Sequence, residues 1–398
     1  MIDQIKRFAK KNQFCYSIVY IIYRLYGLFI SALCLSMRIF PVQKDKIVCC
    51  NVKGKRYGDN PKYITDEILR QNLDYKIVWL LNKHVEVTLP AGCRRANYNI
   101  FSIAYHLATS KIWLDSNTKP FGIRKRKGQY YIQTWHGSYG LKKIGADIID
   151  KLTLIDKKDL SYNSKLEDLF ISNSRFYSTL YRRAFWYEHE ILECGSPRND
   201  IFFTQQDDIT NTVKEYFNAA DKHLALYAPT YRSDYKTDSF KLDFERLRKS
   251  LECRFGGDWM VLIRLHPQNI IDAEGFLQYN SYIKNATDYN VMQELLVASD
   301  VLISDYSSCM FDFVTTKKTC FIYASDVEKY KNDRDFYFDI YKLPFPVAEN
   351  NEQMEQNILQ FDEAEYKNKL DYLFEQVGLC EDGTACKQVV KWIEERVI

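Results

Sequence analysis

The chain has 398 residues, 46% of them hydrophobic and 27% charged, with a net charge of +3. This length suits two domains of ordinary size, and the composition excludes a disordered or collagen-like chain. The near balance of charge excludes a global nucleic-acid footprint. The first 50 residues nevertheless carry +6 (Lys6, Arg7, Lys10, Lys11, Arg24, Arg38, Lys44 and Lys46 against Asp3 and Asp45), leaving −3 for the rest. Residues 14–40 are mostly apolar, interrupted by Arg24 and Arg38. Each uncharged stretch is shorter than the ~20 residues of a spanning helix. Arg24 also splits the apolar run that a cleaved signal peptide would need. The pattern predicts a helix lying in the membrane interface, with the basic start drawn to anionic lipid.

After Pro41 the hydrophobic pattern alternates between strand and helix. Strands are expected at 47–52, 75–81, 112–115, 130–134, 169–172 and 190–194, with helices at 61–71, 100–108 and 174–185. The polar stretch TQQDDITNT (204–212) puts a domain boundary between about 203 and 222. A second series follows, with strands at 224–228, 260–265, 301–304 and 320–323 and helices including 288–298 and 308–316. Residues 351–398 read as helices throughout. Such alternation implies α/β architecture: parallel sheets covered on both faces, with ligands outside the carboxyl ends of the strands. The expected organisation is a membrane-surface segment (1–41), two Rossmann-like domains facing a cleft (42–210 and 211–350), and C-terminal helices (351–398).

Eleven cysteines include no CxxC pair and no Cys/His cluster with zinc spacing, so free thiols in a reducing compartment are expected, with no metal site. Neither a P-loop nor GxGxxG is present, and no cofactor is expected. The basic run Arg124-Lys125-Arg126-Lys127 reads as a solvated turn, with contact to anionic lipid or polymer as the alternative.

Polar clusters fall directly after expected strands. In QTWHGSYGLKKIG (133–145), His136 at a strand end could take a proton from an attacking hydroxyl, Gly137, Gly140 and Gly145 let the backbone turn tightly and approach a ligand, and Gly137 and Ser138 are candidate substrate contacts. In IRLHPQ (263–268), Arg264 and His266 share one face of a strand end and suit a phosphate. In SDVLISDYSSCMFDF (299–313), Ser307 or Ser308 would cap a helix and offer an anion site, and Asp312 could orient a ligand hydroxyl. Arg198, Pro229 and Thr230 follow two further strands. Taken singly, each cluster is also what a satisfied structural turn or a plain capped helix looks like.

The ordered set QTWHG, FISNSRFYSTLYRRAF, ECGSPRNDIF, YAPTYR, IRLHP, SDVLISDYSSCMFDF and YASDVEKYKNDRDFYFD resembles the CDP-glycerol glycerophosphotransferase family of teichoic acid and capsule polymer synthesis. The resemblance covers roughly 45–350. It implies a GT-B fold and transfer of a polyol phosphate, glycerol phosphate first and ribitol phosphate second, from a CDP-activated donor to a hydroxyl of a lipid-linked glycopolymer, with release of CMP. It further implies a peripheral protein on the cytoplasmic face of the membrane, and a homo-oligomer is compatible with it. His136 resembles the family's catalytic base, and His266 with Arg264 its second histidine beside the donor phosphates. Ser307, Ser308 and Asp312, then Arg198, Pro229 and Thr230, match donor-binding positions. The loop after His136 departs from the common WHGTPLKK by one extra residue. A nucleotide-sugar glycosyltransferase on the same fold and a non-catalytic membrane-surface scaffold are the competing readings.

Overall fold

The computed structural model describes residues 13–137, 140–204, 206–230, 241–265, 279–328 and 335–397. His266 and Ser138 lie outside them. The chain opens with helix α1 (Gln13–Ser36) and enters a seven-stranded sheet made of β1 (Gln43–Cys50), β2 (Lys76–Leu81), β3 (Cys93–Asn97), β4 (Ser110–Asp115), β5 (Tyr130–Gln133), β6 (Leu169–Ser172) and β7 (Glu190–Glu193). Between these strands run α2 (Asp59–Arg70), α3 (Ile100–Thr109), α4 (Leu154–Leu166) and α5 (Arg175–Ala184). Helix α6 (Gln206–Phe217) leads into a second sheet of β8 (His223–Tyr227), β9 (Trp259–Ile263), β10 (Ile283–Asn285), β11 (Val301–Ser304), β12 (Thr319–Tyr323) and β13 (Val347–Ala348). Its helices include α7 (Phe244–Phe255), α8 (Met292–Ala298) and the short α9 (Cys309–Phe313). Three helices close the chain: α10 (Asn351–Leu359), α11 (Glu363–Val377) and α12 (Ala385–Val397).

The strand orders are 3-2-1-4-5-6-7 and 10-9-8-11-12-13, with every described pair parallel. Each order reverses once, between β1 and β4 and between β8 and β11, and such switch points are where doubly wound sheets leave a crevice. The two-residue period of β1 explains the layering. Ile47 and Cys49 face a core shared with Ile64 and Ile68 of α2 and Val389 and Ile393 of α12, while Val48 and Cys50 face the core of Ile30, Ile103 and Leu107. Helix α12 thus returns from the second half of the chain to complete the first sheet's core.

Helix α1 is continuous across Arg24, and residues 14–39 are long and apolar enough to cross a membrane by length and composition. This differs from the sequence expectation, which counted only uncharged stretches. Gly27, Ile30, Ser31 and Cys34 form a buried stripe at helical spacing, whereas Phe14, Ile18, Ile21, Ile22, Leu25, Leu28 and Phe29 are exposed. The stripe fits because Gly122, at φ +102°, brings its backbone against Gly27: a Cβ there would lie 2.2 Å from the Gly27 carbonyl oxygen. The basic run at 124–127 is exposed at Arg124 and Lys127, as a solvated turn would be, but three of its cations also have protein partners. Arg124 Nε donates to Ser31 Oγ at 3.2 Å, Arg126 Nη1 to the Phe40 carbonyl at 2.7 Å, and Lys125 Nζ pairs with Asp168. Arg124 thus ties this run to α1, and Arg126 ties it to the segment just after that helix.

Candidate active site

The site forms where loops from both sheets meet at their carboxyl ends. After β5, Trp135 takes φ +53°, a conformation costly for a bulky side chain. It is held by its own N–H donating to Gln133 Oε1 at 3.0 Å and by Asn60 Nδ2 donating to the carbonyls of Thr134 and Trp135 at 3.0 and 3.3 Å. This turn presents His136, whose ring is exposed to the cleft. His136 Nδ1 lies 2.9 Å from the Ser116 carbonyl oxygen, just beyond β4. A carbonyl only accepts, so the neutral ring carries its proton on Nδ1 and leaves the Nε2 lone pair free.

His136 shares a cleft of about 770 Å³ with Pro229, Arg264 and Ser307 from the second sheet. An inner lobe of about 230 Å³ adds Arg198, Ser308 and Asp312 to the lining. The loops approach closely: a Cβ on Gly137 would stand 3.8 Å from Ser308 Oγ. Arg264 is fixed by Nη1 donating to the Ala286 carbonyl at 3.2 Å and to the Tyr289 carbonyl. Burial, and then repulsion from Arg56, pull its guanidinium down to about 10. Two cations facing one cleft favour an anion between them.

Other expected site residues are committed to protein partners. Arg198 and Asp312 form an ion pair at 2.8 Å with side chains 6% and 3% exposed. Arg198 Nη1 also donates to Asp59 Oδ1 at 2.8 Å and to the His136 carbonyl at 3.0 Å, and Asn199 Nδ2 donates to the other Asp312 oxygen at 3.0 Å. Arg198 and Asp312, which the resemblance matches to donor-binding positions, line the inner lobe and at the same time join the two sheets and anchor the His136 peptide. Thr230 donates its hydroxyl to Asp305 Oδ1 at 2.6 Å, and the same oxygen accepts from the N–H groups of Thr230 and Tyr306. The helix expected at 308–316 is present as an α turn, Cys309–Phe313, with Ser308 at its N-cap position, continuing as the 3₁₀ turn Val314–Thr316. Ser308 makes no side-chain cap, and Ser307 Oγ accepts from the Cys309 N–H at 3.4 Å. A helix this short has little dipole to offer an anion.

The loop after β1 also enters the site, beyond what the sequence pattern predicts. Val52, Lys53 and Asp59 all take positive φ, and the loop carries Lys55 and Arg56 into the cleft, with Lys62 from α2. Arg56 is exposed and has no ion pair or hydrogen bond among the described residues. The signal existed, because KGKRYGDN follows a strand as the other clusters do. Among the described residues no group of three His, Cys, Asp or Glu side chains could hold a metal ion.

Behind Trp135 lies a separate cavity of about 240 Å³ that includes Glu167. Burial pushes the Glu167 carboxyl up to about 8, against a hydrogen bond from Gln133 and the charges of Lys119 and Lys125, with Asp115 adding to the rise. An acid with a raised folded value binds its proton more tightly when folded, so stability drains as pH climbs from the usual glutamate range to about 8. Glu167→Gln is therefore expected to raise the melting temperature relative to the parent at pH about 9 and to change it little at pH about 5. An equal shift at both pH values would contradict this.

Residues 32–395 match the model of a family described as CDP-glycerol:poly(glycerophosphate) glycerophosphotransferase. The chain is 30% identical over 371 residues to a teichoic acid poly(glycerol phosphate) polymerase of Staphylococcus epidermidis, covering 87% of this chain and 50% of that protein. It is also 30% identical over 377 residues to a teichoic acid glycerol-phosphate transferase of Staphylococcus aureus, covering 88% and 93%. It thus spans about half the length of the first relative and nearly all of the second. Among solved structures, the wall teichoic acid polymerase TagF superposes with a TM-score of 0.81 at 26% identity, covering 97% of this chain and 98% of that one. The match to TagF agrees with the GT-B fold expected from the sequence.

Proposed function

The chain belongs to the CDP-glycerol:poly(glycerophosphate) glycerophosphotransferase family, and from that premise we propose that it moves glycerol phosphate from CDP-glycerol to a hydroxyl of a lipid-linked envelope glycopolymer. The carrying observation is His136: its Nδ1 is held on a carbonyl, which leaves Nε2 to accept a proton, and the residue lines the cleft shared with Arg264 and Arg56. In the proposed step the acceptor oxygen attacks the phosphorus that bears glycerol. The bond from that phosphorus to the bridging oxygen breaks, CMP leaves with the electron pair, and His136 Nε2 takes the acceptor proton. Arg264, with His266 two residues on, neutralises the donor pyrophosphate, and Ser307 donates to it. Arg198 and Asp312 act at one remove, by fixing the His136 backbone.

Arg56 faces the same phosphates from the first sheet. Arg56→Ala is expected to raise the KM for CDP-glycerol by roughly ten- to a hundredfold, the equivalent of the ~1.5–3 kcal/mol of a hydrogen bond to a charged group. Steady-state kinetics with the donor varied checks this, and an unchanged KM would remove Arg56 from the donor site.

The reading also places α1 on the cytoplasmic face of the membrane, lying in the interface. Its buried stripe is docked on the domain along its length, from the Ile155 N–H donating to Tyr16 Oη at 3.2 Å to the Ser31 hydroxyl donating to Gly122 O at 2.9 Å, and its remaining apolar faces are exposed. A helix so docked suits lateral burial beside anionic lipid better than a crossing. The transferase reading is tested by offering CDP-glycerol and CDP-ribitol with a lipid-linked acceptor and following CMP. A nucleotide-sugar glycosyltransferase would instead release a nucleoside diphosphate and form a glycosidic bond.

A further inference from the structure

Trp135 and His136 stand side by side, with ring centroids 4.4 Å apart, yet they line different cavities. His136 lines the large cleft, whose charged lining is Lys55, Arg56, Lys62 and Arg264 against Glu86 and Asp288. Trp135 lines the smaller cavity of about 240 Å³ with Leu160, Phe170 and Phe185 and the acids Asp156, Asp159 and Glu167. No lysine or arginine is among its described lining residues, although Lys119 and Lys125 lie near enough to act on Glu167. The transferase mechanism gives this cavity no role.

Its chemistry is the opposite of the cleft's. With three acids and no cation in its lining, the cavity favours a phosphate far less than the cleft does. Aromatic faces beside carboxyl groups suit an uncharged, hydroxyl-rich unit, whose C–H face packs on the rings while its hydroxyls hydrogen-bond to the acids. Glu167 carries this further. It is 2% exposed, yet it lines the cavity. Gln133 Nε2 donates to its Oε1 at 3.0 Å, and its other oxygen receives no hydrogen bond from any described residue. That oxygen is not sealed from solvent, so it stands open to a ligand or water in the cavity. Being held neutral by burial to about pH 8, it can donate as well as accept.

The position fits an acceptor. One wall of the cavity is α4, which also carries α1: Asp159 Oδ1 accepts from Tyr23 Oη at 2.5 Å. The cavity therefore lies one helix away from the exposed apolar faces of α1. Its volume falls below the ~300–1,000 Å³ of drug-sized sites and suits one ring or polyol unit rather than a nucleotide.

We propose that this cavity is an acceptor subsite, seating one uncharged sugar ring or polyol unit of the lipid-linked chain against Trp135 and delivering a neighbouring hydroxyl to His136. The proposal rests on the transferase function above. The test uses the full chain, CDP-glycerol and a short-chain alkyl disaccharide as soluble acceptor. Leu160→Trp fills the cavity from α4. Thr118→Trp narrows it from an exposed rim position, where folding is least at risk. Kinetics are read on variants that keep the parent's melting temperature. The expected result is an acceptor KM raised about tenfold or more, or ~1.4 kcal/mol, with the Kd for CDP-glycerol and the slow release of CMP to water unchanged. An unaltered acceptor KM would overturn the subsite, as would an equal rise in the CDP-glycerol Kd, which would place the effect in the cleft. A parent chain that does not bind CDP-glycerol would remove the transferase reading first, and the subsite with it.

Discussion

His136→Ala is expected to slow transfer by roughly 10²–10⁴-fold, the usual worth of a positioned general base, while the Kd for CDP-glycerol stays within about twofold. Three contacts explain why the loss falls on rate. The Ser116 carbonyl fixes the tautomer, Asn60 holds the two preceding carbonyls, and Arg198 holds the carbonyl of His136 itself. The ring is thus preorganised before substrate arrives, and nothing in this arrangement requires it to bind the donor. Calorimetric titration of CDP-glycerol, paired with CMP release, separates the two effects. Near-normal turnover in the variant would remove His136 as base.

Arg198→Met carries the second large effect, on stability and rate together. Arg198 is 5% exposed and joins Asp59 of the first sheet's loop to Asp312 of the second domain. Removing it strands two carboxylates, one of them fully buried, at a cost of ~3–5 kcal/mol. Transfer should fall as well, since the His136 peptide loses an anchor. Arg198→Lys should not restore it, because one ammonium lacks the planar fork that meets Asp59, Asp312 and the carbonyl at once. The double variant Arg198→Met/Asp312→Leu should recover most of the stability but not the rate, because an apolar pair replaces a buried ion pair at little cost. Urea unfolding of the three proteins checks this. A single variant within about 1 kcal/mol of the parent would show that the pair contributes little.

The sequence made the strand ends legible, because buried parallel strands are short apolar runs and polar residues after them stand out. That is how His136, Arg264 and Ser307 were found, each just past β5, β9 or β11. It could not reveal partners. Arg198, Thr230 and Asp312 looked like ligand groups by the same rule, yet they bind Asp312, Asp305 and Arg198 respectively, contacts 75 to 114 residues apart in sequence. β3 was missed because it is an edge strand whose CRRAN sequence is mostly exposed, and β13 because it is two residues long. The return of α12 to the first core has no local signature either: its apolar face fits any sheet until Ile64 and Ile68 are placed beside it.

The most direct measurement incubates the chain with CDP-glycerol and a lipid-linked acceptor and counts both products. The account predicts one CMP released for each new phosphodiester, with His136→Ala slowing both together by the same roughly 10²–10⁴-fold. Release of a nucleoside diphosphate with a new glycosidic bond, or no CMP from a chain that binds the acceptor, would contradict it.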